Sequence, residues 1–274
     1  MNVRIVEVGP RDGLQNVQAT VPTEVKVAYV NALSKAGLQE IEVSSFVSPR
    51  WVPQLADAEQ VFTLIDRVPG VRYSALVPNE KGLERAVACR VDKIAVFTAA
   101  SETFSHKNVN ASIEDTIVRL RPVVASSPVP VRGYVSTAFY CPYEGKIEPD
   151  RVLAVCDRLV EIGCSEISIG DTIGRAVPED VDRLLERLLS RFAASIVAMH
   201  FHDTFGNAIL NVRRSFEAGI RIFDGSTGGV GGCPFAPGAK GNVATEALVA
   251  EFGSDSGVNL DRIEQAAAVI TPYV

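Results

Sequence analysis

Short apolar runs recur along this chain, and each is followed by a longer stretch with helical periodicity. The runs lie near residues 3–8, 40–44, 71–77, 92–98, 131–137, 166–170, 195–201 and 221–224. Helix-compatible segments fall between them, near 22–36, 54–67, 80–89, 110–125, 149–162, 178–191 and 207–218, with another from Glu246 onward. Eight strand-then-helix units in succession are the order expected of an α/β fold, a (β/α)8 or TIM barrel. Local helix-start signals agree with the element count: Thr20-Val21-Pro22, Asn79-Glu80 and Pro178-Glu179-Asp180 each put polar residues or proline before an amphipathic run. A final helix near 259–270 is expected to pack on the outside of the barrel. No linker or low-complexity segment interrupts the 274 residues, so a single domain over 1–274 is expected.

Composition narrows the function classes. With 22% charged and 47% hydrophobic residues the chain is not of the disordered type. A net charge of −6 gives no general attraction for nucleic acid or for an anionic membrane, although local basic pockets can still take an anionic substrate. Five cysteines, at 89, 141, 156, 164 and 233, lack CxxC or zinc-finger spacing. Their odd number rules out a complete intrachain disulfide framework, and a reducing compartment is the simpler reading. No apolar stretch approaches bilayer length, and the N-terminus enters a strand without the pattern of a secretory signal, so a cytoplasmic location is expected.

In a TIM barrel the C-terminal ends of the strands converge on one mouth. The most unusual pair to arrive there is His200 and His202, two of only three histidines, placed one residue apart on the seventh run. Side chains at i and i+2 of a strand share a face, which brings two imidazoles to metal-binding separation. Taken alone such a pair also suits ordinary structural roles. Asp12 after the first strand and Asn242 in the glycine-rich stretch beyond the eighth complete a set of one carboxylate, two imidazoles and an amide oxygen. Such mixed N and O ligands suit magnesium, manganese or another divalent transition ion.

Several further residues gather at the same mouth. Arg11 is placed to neutralise a developing oxyanion, or simply to make a salt bridge at a strand end. Glu42 breaks an apolar run and should point inward, where a buried carboxylate needs a partner; Arg11 or a ligand would serve. Asp171, after the sixth strand, is either a base, a residue orienting one, or a turn-forming aspartate. Cys233, preceded by two glycines, could deliver a proton to carbon when its loop closes, against the commoner structural use of cysteine. Lys107 and Lys240 could contact phosphates at the mouth or remain solvated. No P-loop, dinucleotide fingerprint or hydrolase nucleophile elbow is present.

The chain carries VEVGPRDGLQN at 6–16, SFVSPRWVPQ at 45–54, ASETFSHKNVN at 100–110, RGYVSTAFYCPYEGKI at 132–147, GDTIG at 170–174, HFHDTFGNA at 200–208 and GGVGGCPFAPGAKGNVATE at 228–246. Taken together, these stretches resemble the 3-hydroxy-3-methylglutaryl-CoA lyase family of the metal-dependent carbon–carbon lyase and synthase superfamily, from about residue 3 to 270. The resemblance implies cleavage of a 3-hydroxy-3-methylglutaryl thioester to acetyl-CoA and acetoacetate with Mg2+ or Mn2+, no tightly bound organic cofactor, and a homodimer. It implies that Asp12, His200, His202 and Asn242 hold the metal, and that Arg11, Glu42, Asp171 and Cys233 carry or support the chemistry, with either Asp171 or His200 as base. The chain departs from the commonest pattern at Val43-Ser44, Ser105-His106-Lys107, Tyr140 and Gly225-Ser226-Thr227, which leaves room for a related branched acyl group. A condensing synthase, an aldolase acting on a free acid, and a metal-stabilised binding scaffold are the rival readings.

Overall fold

The runs of β-branched and small apolar residues form eight parallel strands: Arg4–Glu7, Glu40–Ser45, Arg72–Leu76, Lys93–Ala99, Val131–Ser136, Glu166–Asp171, Val197–Phe201 and Ile222–Gly225. Each pairs with its sequence neighbour in the barrel, and the first closes on the last with Arg4 opposite Ile222 and Glu7 opposite Gly225. The computed structural model describes residues 3–231 and 241–274. It is a TIM barrel, as expected from the alternation of elements. Cys233 and Lys240 lie outside the described residues.

Period-2 alternation divides each strand between two environments. Ile41, Tyr73, Ile94, Val131, Ile167, Val197 and Phe223 join the large apolar layer between strands and helices. The other parity faces the barrel interior, and there the chain is unusually polar: Glu40, Glu42, Ser74, Lys93, Arg132, Glu166, Ser168, His200 and Asp224 are all buried. Small apolar clusters, Val6 with Val8, Ala198 and Ile222, and Leu76 with Ala95 and Tyr134, fill the remainder. The charges are paired across the barrel. Lys93 Nζ lies 2.7 Å from Glu166 and 3.0 Å from Glu40, Arg4 bonds Glu166, and Arg132 Nη2 lies 2.6 Å from Asp224.

Helix starts follow the expected chemistry in part. Asn79 accepts from the Gly82 amide at 2.9 Å, and Asp180 reaches back to the Val177 amide at 3.4 Å, but the first helix begins at Thr23 behind Pro22 with no side-chain cap. The closing helix Leu260–Ile270 packs on the first helix Thr23–Leu33, and the Asn259 amide is bonded to the Ala36 carbonyl. Two mouth elements depart from the expected element order: a helix at Glu102–Val109 and a small hairpin pairing Tyr140–Cys141 with Gly145–Lys146. They are tied together by Glu144, which accepts from Ser101 Oγ and the Thr103 amide, both at 2.7 Å, at the start of that helix. A third is a wide π-type turn over Gly9–Gly13, in which the amides of Asp12 and Gly13 both bond to the Val8 carbonyl.

Candidate active site

That wide turn carries Arg11 and Asp12 over the barrel mouth. Its start is crowded: a Cβ at Gly9 would sit 2.5 Å from both Glu7 Oε1 and Tyr29 Oη. Glu7 secures the turn from below, accepting from the Gly9 amide, the Thr227 amide and hydroxyl, and the Thr245 hydroxyl. The first strand is thereby locked to both stems of the glycine-rich segment, although burial pushes the Glu7 carboxyl up to about 7.

Asp12, His200 and His202 each present a ligand atom, all within 4.8 Å of one another. His200 Nε2 lies 4.0 Å from Asp12 Oδ2. Asn242 enters the same group through an isolated bridge to His202, and its Nδ2 donates to Asp12 Oδ2 at 2.9 Å and to the Val230 carbonyl at 3.1 Å. A side chain at Gly231 would place its Cβ 2.5 Å from that Nδ2, so glycine there leaves room for Asn242. Two atoms of the group, Asn242 Oδ1 and His202 Nδ1, are buried without a hydrogen-bond partner among the described residues. Buried polar atoms are ordinarily satisfied, so one free oxygen and one free nitrogen beside a carboxylate fit a divalent cation.

For Asp12 and His202 the electrostatics favour the metal-binding protonation states. Burial alone would raise Asp12, but Arg11, helped by His200 and the Asn242 hydrogen bond, outweighs it and holds the carboxyl well below the usual carboxylate range. Burial, aided by His200, pushes His202 down to about 4, leaving it neutral. His200 runs the other way: the hydrogen bond to Asp224 and the charge of Asp12 overcome burial and raise its pKa, so that a proton competes with a metal ion there.

Arg11 is fixed on two sides. Its Nε donates to Glu42 Oε2 at 2.6 Å and its Nη1 to Asp12 Oδ1 at 2.5 Å, while the guanidinium lies 5.2 Å from the Tyr134 ring centre. Tyr134 Oη also donates to Glu42 Oε2, at 3.2 Å. The expected inward Glu42 is thus present and bonded to Arg11. The other expected residues divide. Both Asp171 oxygens accept loop amides, from Arg175 and Ala176 at 3.1 Å each, and burial raises its carboxyl to about 7 while those amides and the charge of His200 oppose the rise. Lys107 is exposed on the helix beside the mouth, 4.7 Å from the Tyr143 ring centre. The positions that depart from the common pattern make their contacts elsewhere: Ser105 with the Ala111 carbonyl, Tyr140 with Asp180, and Thr227 with Glu7.

Tyr134, Arg132, Ser168 and Asp224 carry the floor of this site, and sequence reasoning did not single them out. The available signal was parity: Arg132 and Tyr134 alternate with apolar residues in the fifth strand, as Asp224 does with Phe223 in the eighth.

A parallel barrel with a carboxylate–imidazole metal-ligand group at its C-terminal mouth, beside a buried arginine, defines the class of metal-dependent barrel enzymes. The chain matches the HMGL-like family over residues 2–270 and belongs to it, a family of metal-dependent carbon–carbon lyases. It is similar to the cytoplasmic 3-hydroxy-3-methylglutaryl-CoA lyase of Rattus norvegicus, with 49% identity over 278 residues that cover 99% of this chain and 81% of the relative. The crystal structure of the HMG-CoA lyase from Brucella melitensis superposes with a TM-score of 0.97 at 49% identity, covering 99% of this chain and 98% of that one. An HMG-CoA lyase from Acinetobacter baumannii in complex with coenzyme A and 3-methylmalate has a TM-score of 0.93 at 36% identity, covering 99% and 91%.

Proposed function

We propose that this protein cleaves 3-hydroxy-3-methylglutaryl-CoA to acetyl-CoA and acetoacetate, with Mg2+ or Mn2+ bound by Asp12, His200, His202 and Asn242. The observation that carries the reading is the placement of Arg11 directly against this ligand group, at 2.5 Å from Asp12, in a chain of the HMGL-like family. The bound ion supplies Lewis acidity that lowers the pKa of the substrate hydroxyl and orients it. The whole chain acts as one catalytic unit. A cytoplasmic location belongs to the same proposal, supported by the name of the rat relative, and so does a homodimer, supported by the family resemblance.

The chain's own residues then divide the work. Cleavage needs a base for the tertiary hydroxyl proton, so that the oxygen becomes the ketone of acetoacetate while the carbon–carbon electron pair passes to the thioester as an enolate. Two groups can serve: His200, with Nδ1 bonded to Asp224 and Nε2 toward Asp12, and Asp171, whose carboxyl burial raises to about 7. Arg11 is a donor held in place before reaction, suited to the enolate charge. Cys233 would return a proton to the enolate carbon, completing acetyl-CoA. Lys107 and Lys240 are assigned to the phosphates of the CoA moiety. The test is direct: purified protein with Mn2+ and 3-hydroxy-3-methylglutaryl-CoA should release acetyl-CoA and acetoacetate in equal amounts. A folded, metal-loaded protein that releases neither would sink the substrate assignment, and turnover of a branched analogue alone would redirect it.

A further inference from the structure

We propose that Asp224 is a positioning residue that sets the tautomer of His200 and so presents Nε2, rather than Nδ1, to the metal. The two residues sit side by side in register on the seventh and eighth strands, and Asp224 Oδ2 lies 3.2 Å from His200 Nδ1. The carboxylate is buried and surrounded by donors: Ser168 Oγ donates to Oδ2 at 3.0 Å and Arg132 Nη2 to Oδ1 at 2.6 Å. Arg132 is itself held by Glu166, 3.2 Å from its Nε, and lies 4.9 Å from the Tyr134 ring centre. An acceptor fixed in this way leaves the neutral imidazole one favourable arrangement, with the proton on Nδ1 and the lone pair on Nε2. That lone pair lies on the side of Asp12. Carboxylates behind metal-binding histidines act in this manner, and losing one commonly costs 10–100-fold in metal affinity.

The arrangement makes Asp224→Asn a specific probe. Arg132 can only donate, so the oxygen of the introduced amide must turn toward it, and the amide NH2 is left facing His200 Nδ1. The imidazole must then accept at Nδ1 and carry its proton on Nε2, where it blocks metal ligation. Ser168→Ala, by contrast, removes one donor without reversing the tautomer.

The inference rests on His200 being a metal ligand, and the experiment separates the two ideas. Mn2+ is titrated into the full-length protein and its variants at pH 7.5, with free Mn2+ followed by electron paramagnetic resonance. Asp224→Asn is expected to bind about 10–100-fold more weakly than wild type, and Ser168→Ala within about threefold. Wild-type binding in a folded Asp224→Asn protein overturns the positioning role. Absence of Mn2+ binding by the wild type overturns the metal reading instead. Should Asp224→Asn fail to fold, 15N spectra of the wild type decide the matter, because the chain has only three histidines to assign. Read at a pH where the His200 ring is neutral, the Nδ1–H tautomer supports the proposal, and the Nε2–H tautomer overturns it.

Discussion

Replacing Glu42 with glutamine tests whether Arg11 depends on a partner to do its work. In the native site the two charges meet at 2.6 Å with Glu42 only 1% exposed, and Glu42 Oε1 has no hydrogen-bond partner among the described residues. The amide oxygen of glutamine can still accept from Arg11 Nε, but without its charge, and the NH2 is left in a position with no acceptor. Hydrogen bonds to charged groups contribute about 1.5–3 kcal/mol, and a buried unsatisfied donor costs a similar amount. The variant should therefore lose about 3 kcal/mol of stability, which for a chain of this size lowers Tm by roughly 6–12 °C. Arg11 would retain Asp12 as its remaining carboxylate partner and swing toward it. If Arg11 stabilises the enolate, that displacement resembles the loss of an oxyanion donor, about 10²–10³-fold in kcat. Thermal unfolding, Mn2+ affinity and steady-state cleavage of 3-hydroxy-3-methylglutaryl-CoA should be measured on the same preparation. A folded variant with kcat within threefold of wild type would refute the dependence of Arg11 on Glu42. Loss of Mn2+ affinity comparable to the loss of kcat would relocate the effect to Asp12.

Removing only the Tyr134 hydroxyl, by Tyr134→Phe, deletes a single 3.2 Å bond to Glu42 and should cost about 1 kcal/mol by urea unfolding; a loss as large as that of Glu42→Gln would make Tyr134 the main anchor. Saturating Mn2+ should raise the unfolding free energy by about 2.7 kcal/mol at one hundred times Kd, and a chelator should reverse it. Asp12→Ala should abolish that response, and an unchanged thermal shift in the variant would exclude Asp12 as a ligand. Asp224, beside Arg132 and His200, and Glu166, beside Arg132, Lys93 and Arg4, are both held near 2 by partners that outweigh burial, below the ordinary values of 3.8 and 4.5. Folded values below unfolded ones give stability that is complete above the ordinary range and is lost as pH falls toward 2. Each contributes on the order of 2–3 kcal/mol, so urea midpoints should fall steeply between about pH 4.5 and 2; a flat profile would contradict the buried pairing.

The alternation of period-2 and helical runs was enough to determine the barrel, because each strand-and-helix unit is a local pattern and few architectures accept eight of them in order. The histidine pair was legible for the same reason, since two residues apart on one strand settles their common face. Asp12 and Asn242 became legible once strand ends were assigned to one mouth, although they lie 230 residues apart. The helix at Glu102–Val109 and the Tyr140–Lys146 hairpin were not, since both are short and are held by Glu144 rather than by a strong periodicity of their own. Only the closed barrel decided which partners the inward side chains would meet. Asp224 finds His200 through strand register, Arg132 finds Asp224 across the interior, and Glu42 finds Arg11 because a wide turn folds back over the mouth. Parity along a strand says that a charge points inward, but the identity of its counter-charge depends on register and closure between distant segments. Those are properties of the assembled barrel and of no single stretch of sequence.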